Sequence, residues 1–122
     1  MEKKVYDIRR RTYLYALEVI TFLERLPKDY IAQTLGKQLL RSATSIGANI
    51  IEAQGSGSKK DFTNFYSYAL KSANESKFWL DLLKDSGKVN IDGVELLRRE
   101  VKELANIIAS CIITLKGKRA TF

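Results

Sequence analysis

The sequence has no histidine and only one cysteine, one proline and one tryptophan in 122 residues. Each scarcity removes a class of function. Without histidine, the commonest general base near neutral pH and the commonest transition-metal ligand are missing. Cys111 has no second thiol for an intrachain disulfide and lies inside an apolar helical stripe, so it reads as a packed thiol in a reducing cytoplasm rather than a nucleophile. No apolar run approaches the roughly 18 residues of a membrane span. Basic residues precede apolar ones between Arg9 and Leu23, as in a secretory leader, but Glu18 interrupts the run and no small-residue cleavage site follows; an ordinary helix is expected. The glycine-containing stretch from Gly55 to Lys60 lacks the spacing of a phosphate loop and follows a helical pattern rather than a strand. No enzyme, no cofactor and no metal site is expected.

What is present is 45% hydrophobic and 29% charged sequence, the balance of a globular domain, and residues 1–122 suffice for one core. Apolar residues recur at steps of three and four, which predicts helices over about residues 6–26, 30–54, 59–86 and 92–116. Pro27 stops the first, and Asp29 caps the second. Gly55 and Gly57 are expected to end the second helix in left-handed conformations, and Ser58 with Asp61 to cap the third, which Gly87 ends. Asp92 and Glu95 have capping-box spacing ahead of the longest seam, Val94 to Leu115, which Gly117 is expected to close. Short connections then predict an all-α, antiparallel up-down-up-down four-helix bundle. The first helix has a stripe beside its core stripe, Tyr13, Leu17, Ile20 and Leu23, and the last has Ile107, Ile112 and Ile113. These flanks predict either a thick core or, by preference, a subunit interface.

In that topology ten cations, Lys3, Lys4, Arg9, Arg10, Arg11, Lys59, Lys60, Lys116, Lys118 and Arg119, share one pole with Glu2, Asp7, Glu52 and Asp61, leaving +6 of the net +7 there. The last three cations suit the negative end of a helix dipole, whereas Arg9, Arg10 and Arg11 oppose the positive end of theirs. An anionic partner, RNA or DNA, is therefore expected, held through phosphates by Arg9, Arg10, Arg11, Lys59, Lys60, Lys116, Lys118 and Arg119. Groove-reading motifs are missing, so sequence specificity is not predicted. The alternative is an interaction scaffold that docks an acidic protein such as a reverse transcriptase. In mid-helix, Gln38, Arg41, Ser45, Asn49 and Glu52, with Ser72 and Glu75, form a candidate polar network that fixes helix register or subunit contacts.

The run from Gln38 through Arg41, Ser45, Asn49 and Ile50 to Glu52 closely resembles the signature of the bacterial ribosomal-RNA intervening-sequence proteins, and the likeness continues through Lys60, Phe62, Ala69, Ser72 and Glu75. Ala53 departs from a glycine usual in that pattern, and Leu70 and Lys71 from an arginine and a glycine. The family is similar to the accessory variability protein of diversity-generating retroelements, a five-fold bundle that binds nucleic acid and a reverse transcriptase. The resemblance implies a cytoplasmic homopentamer with a basic surface, whose weak phosphate contacts act together through avidity.

Overall fold

Asp7 opens the first helix by accepting the Arg10 backbone N–H on its carboxylate. The computed structural model describes residues 7–120, with side chains as far as Gly117. Within them lie α1 (Ile8–Glu24), α2 (Tyr30–Gln54), α3 (Lys59–Asp85) and α4 (Ile91–Ala120), and no strand. The expected start of the first helix at residue 6 lies outside the described residues. Its end comes two residues early, because Arg25 and Leu26 bond back to Phe22 and Leu23 in tightened i to i−3 turns ahead of Pro27.

The second and third helices begin where local chemistry predicts. Asp29 accepts from the Ala32 N–H at 2.9 Å, and Ser58 from the Asp61 N–H at 3.1 Å. Asp29 also meets Lys88 at 3.1 Å, and the Ala32 N–H first, with Lys88 second, holds its carboxyl below its ordinary range. The α2 ending departs from expectation: Gly55 has φ −94°, and among the described residues Gly87 alone has a positive φ. A short turn with Gly55 N–H bonded to Glu52 O closes α2 without a left-handed residue. At Gly87, φ +75°, the Lys88 and Gly87 N–H groups reach back to Leu83 and Lys84 in a Schellman turn. A Cβ there would meet nothing within 4 Å. Gly87→Ala should therefore cost about 1 kcal/mol through backbone strain alone, read from the urea midpoint.

The α4 boundaries are also corrected. Asn90, not Asp92, caps the start, its side chain accepting from the Asp92 N–H at 2.8 Å. At the other end α4 runs on through Gly117 to Ala120. A glycine costs a helix about 1 kcal/mol but does not terminate it unless the backbone turns left-handed, and here it does not.

Touching residues count upward on α1 and downward on α2 and on α4, the register expected of antiparallel neighbours. A Cβ on Gly47 would lie 3.1 Å from Thr12, and one on Gly36 would lie 3.1 Å from Leu23. Arg11 meets Glu100 while Phe22 lies beside Gly93, and Asp81 pairs with Arg98. One core runs through all four helices, with Tyr15 and Val19 from α1, Leu39, Ile46 and Ile50 from α2, Leu80 and Leu83 from α3, and Val94, Val101, Leu104 and Ile108 from α4. Small buried residues, Ala43, Ala53, Ala69 and Ala73, let α2 and α3 pack most extensively. A buried Tyr15 to Ser76 hydroxyl bond spans the core, and burial, opposed by that bond, pushes the tyrosine hydroxyl well above its usual range.

The thick-core reading of the spare stripes fails for most of them. Tyr13 is 62% exposed and Ile113 69%, and Leu17 and Ile20 are also exposed, whereas Leu23 and Ile107 are half-buried and Ile112 is buried. The helices that carry these stripes, α1 and α4, pack against each other less than α1 does against α2, α2 against α3 or α3 against α4. Between them lies an open groove of about 1420 Å³ whose apolar lining includes Leu14, Leu17, Phe22, Val89, Leu96 and Leu97.

Candidate nucleic-acid interface

Helix heights decide which cations meet. Tyr15 touches Ser76, seven residues after the start of α1 but seventeen after the start of α3. The charge of Arg9 acts on Tyr66, so residue numbers rise together on the two helices, and the first turn of α3 extends about 15 Å beyond that of α1, at 1.5 Å per residue. Asp81 opposite Arg98 brings the Lys59 and Lys60 turn level with the last turn of α4. Lys59, Lys60 and Lys116 are exposed at that end, and the backbones of Lys118 and Arg119 continue the same helix there. The side chains of Lys118 and Arg119, and all of Lys3, Lys4 and Glu2, lie outside what is described.

The arginine triplet does not sit on the cap. It lies on the flank below, and its members part company. Arg9 and Arg10 are exposed and form no ion pair among the described residues. Burial first, with Cys111 second, pushes the Tyr66 hydroxyl up, and the charge of Arg9 opposes that push, so Arg9 acts on upper α3. Tyr66 is seven residues from Lys59, about 10 Å along the axis.

Arg11 faces α4 instead. Its guanidinium donates to both carboxylate oxygens of Glu100, at 2.9 and 3.3 Å, and pairs with Glu103 at 3.1 Å. The Glu100 hydrogen bonds, ahead of Glu103, hold the guanidinium above its ordinary pKa. Such a bidentate pair is stronger than an ordinary surface ion pair, and it occupies the donors that a phosphate would need. The expected phosphate contact at Arg11 is thus already satisfied within the chain. Nothing local in the sequence signals Glu100 or Glu103 as its partners, because the contact spans 89 residues.

The mid-helix polar residues share one face but are not joined to one another. Ser45 donates to the Arg41 carbonyl at 2.8 Å, and Asn49 to the Ser45 carbonyl at 2.9 Å, both within α2. No side-chain bond or ion pair links Gln38, Arg41, Ser45, Asn49, Glu52, Ser72 and Glu75 among the described residues. Half-buried Cys111 is a thiol whose pKa is pushed up by burial, as expected for a packed cysteine.

The fold has a counterpart. The model of the 23S rRNA-intervening sequence protein family matches residues 4–110. The chain belongs to that family. A crystal structure of a protein of unknown function from the S23 ribosomal protein family of Bacteroides thetaiotaomicron is similar to it, with a TM-score of 0.81 and 32% identity, over 86% of this chain and 97% of that one. No curated protein matches the sequence. In this member of the 23S rRNA-intervening sequence protein family, no helix among the described residues is long and apolar enough to cross a membrane.

The candidate interface of this family member is therefore a cationic cap, Lys59, Lys60 and Lys116 with the last turn of α4, and a flank carrying Arg9 and Arg10. The N–H groups of the first turn of α3 add the positive end of a helix dipole beneath Lys59 and Lys60, where anions are favoured. This arrangement can attract and hold phosphates. It offers no element shaped to read base edges.

Proposed function

We propose that this chain is a non-catalytic, cytoplasmic, oligomeric nucleic-acid-binding or chaperoning protein that holds phosphates on its cationic cap. The observation that carries the reading is the pairing pattern of the charges. The long-range ion pairs join α1 to α4, α3 to α4 and the Asp29 cap to Lys88, whereas Lys59, Lys60, Lys116, Arg9 and Arg10 are exposed without a carboxylate partner among the described residues. Arg11 drops out of the contact set, and Lys118 and Arg119 extend it along α4. The family's name ties it to insertions in ribosomal RNA, which supports RNA as the first probe. A homopentamer, as the resemblance implies, would repeat the cap five times and turn weak contacts into avid ones.

Fluorescence anisotropy with a labelled single-stranded RNA and a duplex DNA, at about 50 and 200 mM salt, tests the proposal. Binding at low salt that weakens steeply on the log–log salt plot is expected, since each phosphate neutralised contributes about 0.7–0.9 to the slope. Binding absent at low salt, or indifferent to salt, would reject it. If the chain instead retains an acidic protein after nuclease treatment, the scaffold function replaces this one.

A further inference from the structure

The outer face of α3 continues the cationic cap downward and adds aromatic rings to it. Lys60, Asn64, Tyr68, Lys71, Glu75 and Phe78 recur at steps of three and four and are all exposed, whereas Ala69, Ala73, Ser76 and Leu80 turn the opposite face into the core. Lys60 and Lys71 form no ion pair among the described residues. From residue 59 to residue 71 the lysines Lys59, Lys60 and Lys71 stand against Asp61 alone, and Glu75, one turn further on, closes the positive stretch.

An exposed aromatic side chain is ordinary by itself; what marks this face is how its rings are held. Tyr13 and Tyr30 are exposed too, but they make no ring contact among the described residues. Tyr68, 50% exposed, meets half-buried Phe65 with ring centroids 5.9 Å apart and planes at 83°. This edge contact holds the tyrosine ring from one side and leaves the rest of it open to solvent. Half-buried Trp79 holds exposed Phe78 in the same manner, at 5.0 Å and 73°. The two rings differ in the charges around them. Tyr68 lies about 12 Å along the axis from Lys60 and about 4.5 Å from Lys71. Phe78 lies past Glu75 and beside Lys77, which is already paired with Asp81.

We propose that the α3 face from Lys60 to Lys71 binds a single strand of nucleic acid, with both lysines on phosphates and the Tyr68 ring stacked on an unpaired base. The inference rests on the function proposed above, whose cap supplies the adjoining phosphate contacts, and it names the substrate class: an unpaired strand rather than a duplex. Charge selects this occupant, because unpaired lysines on either side of a flat ring complement a polyanion that carries flat groups between its charges. In a duplex each base is covered on both faces by its neighbours, so the ring has nothing to stack on; a splayed strand offers it a π-face at every base. The preference is thus for strandedness and not for sequence. Because Phe65 already holds Tyr68, little rotamer freedom is lost when a base settles on the ring.

Fluorescence anisotropy at low salt compares three labelled probes: a short unstructured single-stranded RNA, an abasic strand of equal length and a duplex DNA. They are titrated with the wild-type chain, Tyr68→Ala, Tyr68→Phe and Phe78→Ala. The wild type should bind the RNA at least about fivefold more tightly than the abasic strand, a comparison that needs no variant. Tyr68→Ala should lose that advantage while its affinity for the abasic strand and the duplex, and its salt slope, stay unchanged, because no charge is removed. Tyr68→Phe keeps the ring and should bind as the wild type does, as should Phe78→Ala. Circular dichroism and sedimentation velocity should be the same for all four chains. Equal wild-type affinity for RNA and abasic strand overturns the proposal, and so does a loss at Tyr68→Ala that the duplex or Phe78→Ala reproduces. A changed mass for Tyr68→Ala overturns it as well, by assigning the ring to a contact between copies. If every chain binds all three probes alike, stacking is refuted and the phosphate-holding cap stands; if none binds any probe, both are refuted.

Discussion

Replacing both Lys59 and Lys60 by glutamate is expected to lower affinity for a phosphate-bearing strand at least about a hundredfold near 50 mM salt and to reduce the log–log salt slope by about two per engaged subunit. The two lysines are exposed in the first turn of α3, level with the last turn of α4, and their removal changes the charge of each subunit by four. Folding should survive. Ser58 still caps the helix, and acidic residues in a first turn are favoured by the dipole where lysines are not. Circular dichroism and the thermal midpoint check that point alongside the binding titration. Arg11→Gln provides the contrast: its guanidinium is held by Glu100 and Glu103, so binding should change little while stability falls. Equal losses at Arg11 and at the lysine pair would mean that the cap is not the contact surface.

The largest loss of stability is expected from Leu104→Ala, about 2–5 kcal/mol. Leu104 is fully buried in the seam of α4, inside the core to which all four helices contribute. Truncation removes the transfer free energy of its side chain and leaves a cavity that close-packed neighbours fill only partly. Against the 5–15 kcal/mol of a domain, that is a large share. Ile113→Ala, on the same helix but 69% exposed, should shift stability by no more than about 0.5 kcal/mol. Urea denaturation of both variants at one fixed protein concentration makes the comparison, since assembly stabilises the folded chain by mass action. A Leu104→Ala midpoint equal to that of Ile113→Ala would show the seam assignment to be wrong.

The features legible in the sequence share a property: they are local. The Asp29 and Ser58 caps each involve an N–H three residues away, and Gly87 ends α3 through bonds within six residues. The α4 seam from Val94 to Leu115 is visible because one helix face recurs every three or four residues whatever it packs against. Where two local signals competed, the reading went astray. Asn90 and Asp92 both suit a cap, and Gly117 suits a helix end or an interior equally until the backbone angle is known. The Arg11 to Glu100 pair has no local signal at all, so three consecutive arginines looked equivalent when, among the described residues, only two are exposed and unpaired.

The amino-acid sequence by itself determined four helices, the Asp29 and Ser58 caps, the core stripe each helix buries and the positive charge of the chain, because these follow from periodicity, short-range hydrogen bonding and composition. Only the tertiary structure decided where that charge gathers. Helices of 17, 25, 27 and 30 residues do not end at a common height, and the offset between α1 and α3 moves the arginines off the cap. It also decided that the spare stripe of α1 stays at the surface. Packing is a property of pairs of faces, and the α1–α4 pair, unlike α2–α3, leaves a groove open between them.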